Sequence, residues 1–321
     1  MLILFISYLF SLLFSLYKKG GAFPGFALFV CKKIRGWGLC PQLLKGDCLE
    51  IMKEIPESAV DMVLCDLPYQ MTDCAWDKII PFPELWGQYH RIIKENGAIV
   101  LFSAQPFTTK LIYSNLKHFR YCWYWKKNNK TGFSYAKYQP MRCIEDICVF
   151  YKKMPTYNPQ GLKRLENGRM KKGLNSNVDG IYKAGALSKK HTQKYTGYPV
   201  HVLEFKKDAT NKNRLHPTQK PVALLEYLIK TYTSPGEVVL DNCMGSGSTG
   251  EAAINTGRKF IGIEKDEHYF NVAKERIRGV VENVNPETGE ILSEHSNKTN
   301  DTETGIYKRL SKGGELEAGD G

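Results

Sequence analysis

The chain has 321 residues, 42% of them hydrophobic and 24% charged, with a formal net charge of +12. That hydrophobic content supports one substantial core with a smaller appended region, which excludes a disordered protein. The excess of Lys and Arg favours a polyanionic partner, because such side chains displace the counterions condensed on phosphates.

Residues 1–40 form an apolar N-terminal extension. Residues 1–17 are almost wholly apolar and precede Lys18 and Lys19, a run at the lower limit for a membrane span. It lacks the leading positive charge and the cleavage site of a secretory signal. A membrane anchor, an amphiphilic packing segment and translation of sequence upstream of the natural start are the three readings. The third is expected, since the enzyme-like pattern begins near Pro41.

Residues 41–153 alternate between strand and helix patterns, which implies a mostly parallel sheet covered on both faces. QLLKGD reads as a strand, CLEIMKEI as a helix and VDMVLCD as a buried strand. PFPELWGQYHRIIKENG reads as a helix with Leu85, Tyr89, Ile92 and Ile93 on one face and Gly97 as its C-cap. AIVLFS is a strand, PFTTKLIYSNL a helix, and YCWYWKK and EDICVFYKK are strands. Residues 154–215 form a basic insertion without sustained apolar period; residues 151–215 hold 15 Lys/Arg against 4 Asp/Glu.

Order returns in residues 216–280. HPTQKPVALLEYLIKTY reads as a helix opened by Pro221, with Leu224, Leu225, Leu228 and Ile229 as its stripe. EVVLD, GSTGEAAINTG, KFIGIE and EHYFNVAKERI then read as strand, helix, strand and helix. Residues 281–321, with 4 Lys/Arg and 9 Asp/Glu, read as a disordered acidic tail. Nine cysteines, odd in number and without C-x-x-C spacing, argue against a zinc site, any other metal centre or a disulfide framework. Those in VLCDLPY and DICVFY read as small hydrophobes of a reducing cytoplasm.

The segment EVVLDNCMGSGSTGEAA places Gly245-x-Gly247-x-x-Gly250 between a strand and a helix, where glycines let backbone approach a ligand closely. A dinucleotide site is one reading. Asp241, just ahead of the turn, suits a cationic ligand such as an ammonium or sulfonium better than a phosphate. Glu264 ends the next strand, where a carboxylate can accept both hydroxyls of a ribose. Together they describe a nucleoside with a positive tail.

VDMVLCD runs into Asp66-Leu67-Pro68-Tyr69. Joined to the glycine-rich turn, this tetrapeptide resembles the D/N/S-P-P-Y/F motif of the amino-group DNA methyltransferases, which methylate adenine N6 or cytosine N4. The resemblance covers residues 41–153 and 211–278, and the tetrapeptide precedes the glycine-rich turn as in that family's β class. It implies a Rossmann-like α/β fold with a mostly parallel seven-stranded sheet in permuted motif order, S-adenosylmethionine as cofactor and double-stranded DNA as partner. A cognate restriction nuclease, or none, and a homodimer are left open.

By this resemblance Asp66, Leu67, Pro68 and Tyr69 are catalytic. Asp66 and the Leu67 carbonyl each accept one hydrogen of the target amine, and Tyr69 stacks on a flipped base. Leucine at 67, where proline is usual, keeps the carbonyl and gives up a fixed backbone angle. Asp47, Asp241, Cys243, Gly245, Gly247, Gly250, Glu264, His216 and Lys220 are the implied cofactor residues. Trp125, Lys126 and Asn128 are candidates near the base, and Arg164, Arg169, Lys171 and Lys172 for DNA. Asp at 66 favours adenine over cytosine. The alternatives are cytosine N4 methylation, methylation of RNA or of protein glutamine, and an inactive nucleic-acid-binding derivative of the fold.

Overall fold

The computed structural model describes residues 41–70, 78–171, 191–206 and 219–283. The first half supplies β1 (Gln42–Lys45), α1 (Cys48–Met52), β2 (Val60–Asp66), α2 (Phe82–Ile92), β3 (Ile93–Ser103), α3 (Phe107–Ser114), β4 (Phe119–Thr131) and β5 (Arg142–Phe150). The middle adds β6 (Lys163–Lys171), β7 (His191–Thr196) and β8 (Val202–Glu204). The last part adds α4 (Val222–Tyr232), β9 (Val238–Asp241), α5 (Ser248–Asn255), β10 (Lys259–Glu264) and α6 (Glu267–Glu282).

The main sheet runs β1-β10-β9-β2-β3-β5-β4-β8, and β6 and β7 pair apart from it. All neighbours in the main sheet are parallel except β5, which opposes both β3 and β4. Strands β9 and β10 therefore lie between β1 and β2, so the two halves of the sequence interleave in one sheet. The expected seven strands become eight because β8, from the basic middle region, pairs with β4. A three-residue strand with only Leu203 buried carries too little alternation to be read from sequence.

The pleat explains why both faces are covered. Met62 and Leu64 of β2, with Val100 and Phe102 of β3, join the core beneath α4, α5 and α6. Val63 and Cys65, with Ile99 and Leu101, join the opposite core beneath α1, α2 and α3. Leu224, Leu225, Leu228 and Ile229 of α4 are buried, as are Leu85, Trp86, Tyr89 and Ile92 of α2.

Two helix ends differ from expectation. α2 stops at Ile92, and Ile93 is already extended (φ −76°, ψ 139°), so Gly97 is not a cap. It lies within β3, where a Cβ would stand 2.8 Å from the Asp61 carbonyl oxygen; glycine there permits a close approach of β3 to β2. Pro221 sits at the N-cap of α4, one position before its first turn. Among the described residues no helix is long and apolar enough to cross a membrane; the apolar extension 1–40 and residues 284–321 of the expected acidic tail lie outside them, whereas Val281 and Glu282, expected in that tail, continue α6.

The carboxyl ends of β1, β10, β9 and β2 open along one edge. β9 leads through α5 to β10 on one side, and β2 leads through α2 to β3 on the other. The chain connections thus diverge between β9 and β2, where open α/β sheets form their ligand crevices.

Candidate active site

Each of those four neighbouring strands ends in a carboxylate. Asp47 follows β1, Glu264 ends β10, Asp241 ends β9 and Asp66 ends β2, and all four line one cavity of about 770 Å³. Asp47 is the N-cap of α1, accepting the Leu49 amide at 3.0 Å and Lys265 Nζ at 3.2 Å. Glu264 accepts the amides of Gly245 (2.9 Å) and Asp266 (2.8 Å). Burial raises its carboxyl, and those amides only partly offset the rise. Asp241 is 3% exposed. Burial pushes its carboxyl up to about 6, against hydrogen bonds from the Thr249 side chain and the Cys243 amide.

So acidic a wall repels a pyrophosphate and favours a neutral sugar with a cationic appendage, which sets aside the dinucleotide reading of the glycine-rich turn. The three glycines of that turn part company. Gly245 (φ 51°) lines the cavity, as does Cys243. Gly247 (φ 80°) begins α5, and a Cβ there would meet the Ala273 Cβ at 3.0 Å. At Gly250 a Cβ would stand 2.5 Å from Ile277 Cδ1 and 2.7 Å from Phe260 Cε1. These two glycines let α5 pack closely against α6 and β10.

At the end of β2 the tetrapeptide turns over the cavity. The Leu67 side chain is buried in the core under α1, α2 and α3, an anchorage distinct from the rigid ring of a proline. Pro68 lines the cavity. Tyr69 stacks on Phe107, with ring centroids 5.0 Å apart and planes at 29°, and its hydroxyl donates to Asp66 Oδ1 at 2.5 Å.

Lys220 Nζ donates to the other Asp66 oxygen, lies 3.6 Å from Glu145 Oε2 and stands 5.1 Å from the Phe102 ring centroid. Glu145 in turn accepts Lys127 Nζ at 2.8 Å. Burial alone would lower the Lys220 ammonium, yet Asp66 and Glu145 outweigh it and hold it above its ordinary value. Lys220, expected among the cofactor residues, therefore lines the cavity with its contacts running to Asp66. His216 lies outside the described residues.

β4 brings Trp125 to the cavity wall, where it is fully buried and its Nε1 donates to the Phe205 carbonyl at 2.9 Å. Lys126 points away, exposed and paired with Glu204 at 2.9 Å, and Asn128 is exposed outside the lining. Lys127 takes the inward position instead, in step with Trp123 and Trp125. Arg164 is exposed on β6, which also carries Arg169 and Lys171; Lys172 lies outside the described residues. Glu145, Phe102 and Phe107 went unread in the sequence. Lys127 was readable from the alternation along β4, whereas Glu145 arrives through the pairing of β5 with β4 opposite Trp125.

Comparison with known proteins places this geometry. The N6/N4 family model described as DNA methylase matches residues 60–275, running through the middle region as well as both halves. The type II methyltransferase M.HinfI of Haemophilus influenzae is 30% identical over 287 residues, spanning 78% of this chain and 71% of that protein. The crystal structure of the M1.HpyAVI–SAM complex superposes with a TM-score of 0.51 at 24% identity, covering 74% of this chain and 99% of its own. PvuII DNA methyltransferase, cytosine-N4-specific, gives a TM-score of 0.54 at 17% identity, with 75% and 90% covered. These two structures share the fold. With an α/β sheet in this strand order and a family match across two thirds of its length, the chain belongs to the N6/N4 amino-group DNA methylases, a family that draws its methyl group from S-adenosylmethionine.

Proposed function

We propose that this chain methylates N6 of adenine in double-stranded DNA after the target base has swung out of the helix. The observation that carries the proposal is the position of Asp66: its carboxylate shares one cavity with Asp241 and Glu264. A hydrogen-bond acceptor for an amine thus borders a pocket suited to a cationic nucleoside. The cofactor supplies a methyl group on a positively charged sulfur. Glu264 and Asp47 suit its ribose and adenine, Asp241 suits its cationic end, and Gly245 and Cys243 lie along the wall between them.

An exocyclic amine on an aromatic ring is a poor nucleophile because its lone pair is delocalised. Asp66 accepting one amino hydrogen and the Leu67 carbonyl accepting the other draw the nitrogen towards tetrahedral geometry and localise that pair. The target amine lies inside the stack of a duplex, so access requires extrusion of the base at a cost of a few kcal/mol. Tyr69, which lines the cavity and is backed by the buried Phe107, offers an aromatic face that offsets part of it. Asp rather than Ser at the head of the tetrapeptide supports adenine over cytosine. Arg164, Arg169, Lys171 and Lys172 supply positive charge for phosphates.

The test is to incubate the protein with unmethylated genomic DNA and S-adenosylmethionine, digest to nucleosides and quantify modified bases by mass spectrometry. N6-methyladenine that vanishes in Asp66→Ala is the expected result. N4-methylcytosine in its place refutes the adenine assignment, and no modified base from a cofactor-binding protein refutes DNA methylation.

A further inference from the structure

We propose that Lys220, braced by Glu145 and Lys127, is a positioning residue for methyl transfer that holds Asp66 as an aimed acceptor and takes no part in gripping the cofactor. The inference rests on the reading above that Asp66 receives the target amine. Its starting point is an alternating row of charges. Asp66, Lys220, Glu145 and Lys127 have side chains 24%, 8%, 17% and 6% exposed, each in contact with the next, and their formal charges sum to zero.

A lysine is almost never this deeply buried without partners, and two carboxylates converge on this one. Without its charge, Asp66 and Glu145 would face each other as like charges with no cation between them, and repulsion would push the Asp66 carboxylate out of aim. The raised Lys220 ammonium agrees with a permanently charged bridge.

Binding the cofactor is a poor alternative role for it. An ammonium is repelled by a cationic ligand, and the Lys220 charge is already shared between two carboxylates and the face of Phe102. Lys220 also comes from the segment preceding α4, 154 positions along the chain from Asp66. The bond therefore ties the cofactor-side half of the sequence to the acceptor in the other half. Lys127 anchors Glu145 from behind, so that Lys220 stays drawn between its two partners.

The experiment compares full-length wild type, Lys220→Met and Glu145→Gln in three readouts: single-turnover methyl transfer to DNA at saturating cofactor, S-adenosylmethionine Kd by calorimetry, and Tm with and without Asp66→Asn. Lys220→Met is expected to slow transfer about tenfold or more, the scale of a lost hydrogen bond to a charged group, while Kd stays within about threefold. Glu145→Gln should slow transfer in the same direction and by less. Lys220→Met should lower Tm more in the wild type than in Asp66→Asn, since the pair is broken in advance in the latter. A wild-type rate in Lys220→Met, or a weakened Kd with an unchanged rate, overturns the inference. Equal Tm losses on both backgrounds overturn it even if wild type methylates no DNA, a result that would by itself sink only the proposed reaction. If Lys220→Met does not fold, an unchanged rate in Glu145→Gln overturns it.

Discussion

Asp241→Asn should make the cofactor-free protein more stable at neutral pH while it weakens cofactor binding. Burial holds the Asp241 carboxyl at about 6 in the fold against an ordinary value of 3.8. Because the folded group is harder to ionise than the unfolded one, its stabilising influence is complete below pH 4 and is lost as pH rises through 6. A difference of about two pH units corresponds to about 3 kcal/mol withheld from the fold at pH 8. About 1.4 kcal/mol of that develops between pH 5 and pH 8, for groups titrating near 3.8 and 6. Asparagine keeps an acceptor oxygen for the Cys243 amide and removes the charge. The assay is thermal unfolding of both proteins without cofactor across this pH range. The melting gap in favour of Asp241→Asn should widen by about 3–6 °C from pH 5 to pH 8. A gap independent of pH, or a wild type more stable than the variant at pH 8, would refute the reasoning. Calorimetry with S-adenosylmethionine completes the test, since the variant should bind at least about tenfold more weakly without the charge facing a cationic ligand.

Tyr69→Phe removes the hydroxyl from Asp66 but keeps the ring on Phe107, so base extrusion followed by 2-aminopurine fluorescence should persist; Tyr69→Ala should weaken it by about 1–3 kcal/mol, one stacked base. Gly250→Ala forces a Cβ against Ile277 and Phe260 and should cost about 1–3 kcal/mol, read as a lower melting temperature. Lys126→Ala, at an exposed pair with Glu204, should leave methyl transfer at the wild-type rate, whereas Lys127→Ala should slow it; a steady-state assay of both separates the two neighbours.

The order of strands and helices was legible because each element carries its own period. VDMVLCD is apolar on both sides and became β2, with both faces buried, and the stripe of four apolar residues became the buried side of α4. Gly97 misled because a polar KENG stretch looks like a helix end when the next strand begins without a loop; contact with Asp61, distant in sequence, accounts for that glycine. In the glycine-rich turn, spacing could not separate Gly245 at the cavity from Gly247 and Gly250 against α6, since all three serve close approach, to different neighbours. Lys126 and Lys127 differ only in the phase of the pleat, which Trp123 and Trp125 already set. Glu145 had no local signal at all. Its place opposite Trp125 and beside Lys220 exists only after β5 pairs with β4 and the chain returns ahead of α4.

The most direct test of Asp66 as the acceptor of the target amine is single-turnover transfer of a radiolabelled methyl group from S-adenosylmethionine to DNA by the wild type and Asp66→Ala, with cofactor affinity measured for both. Transfer should fall at least about a hundredfold in the variant, the scale of a removed group that stabilises developing charge, with cofactor affinity little changed. Label appearing in DNA at the wild-type rate from Asp66→Ala would contradict it.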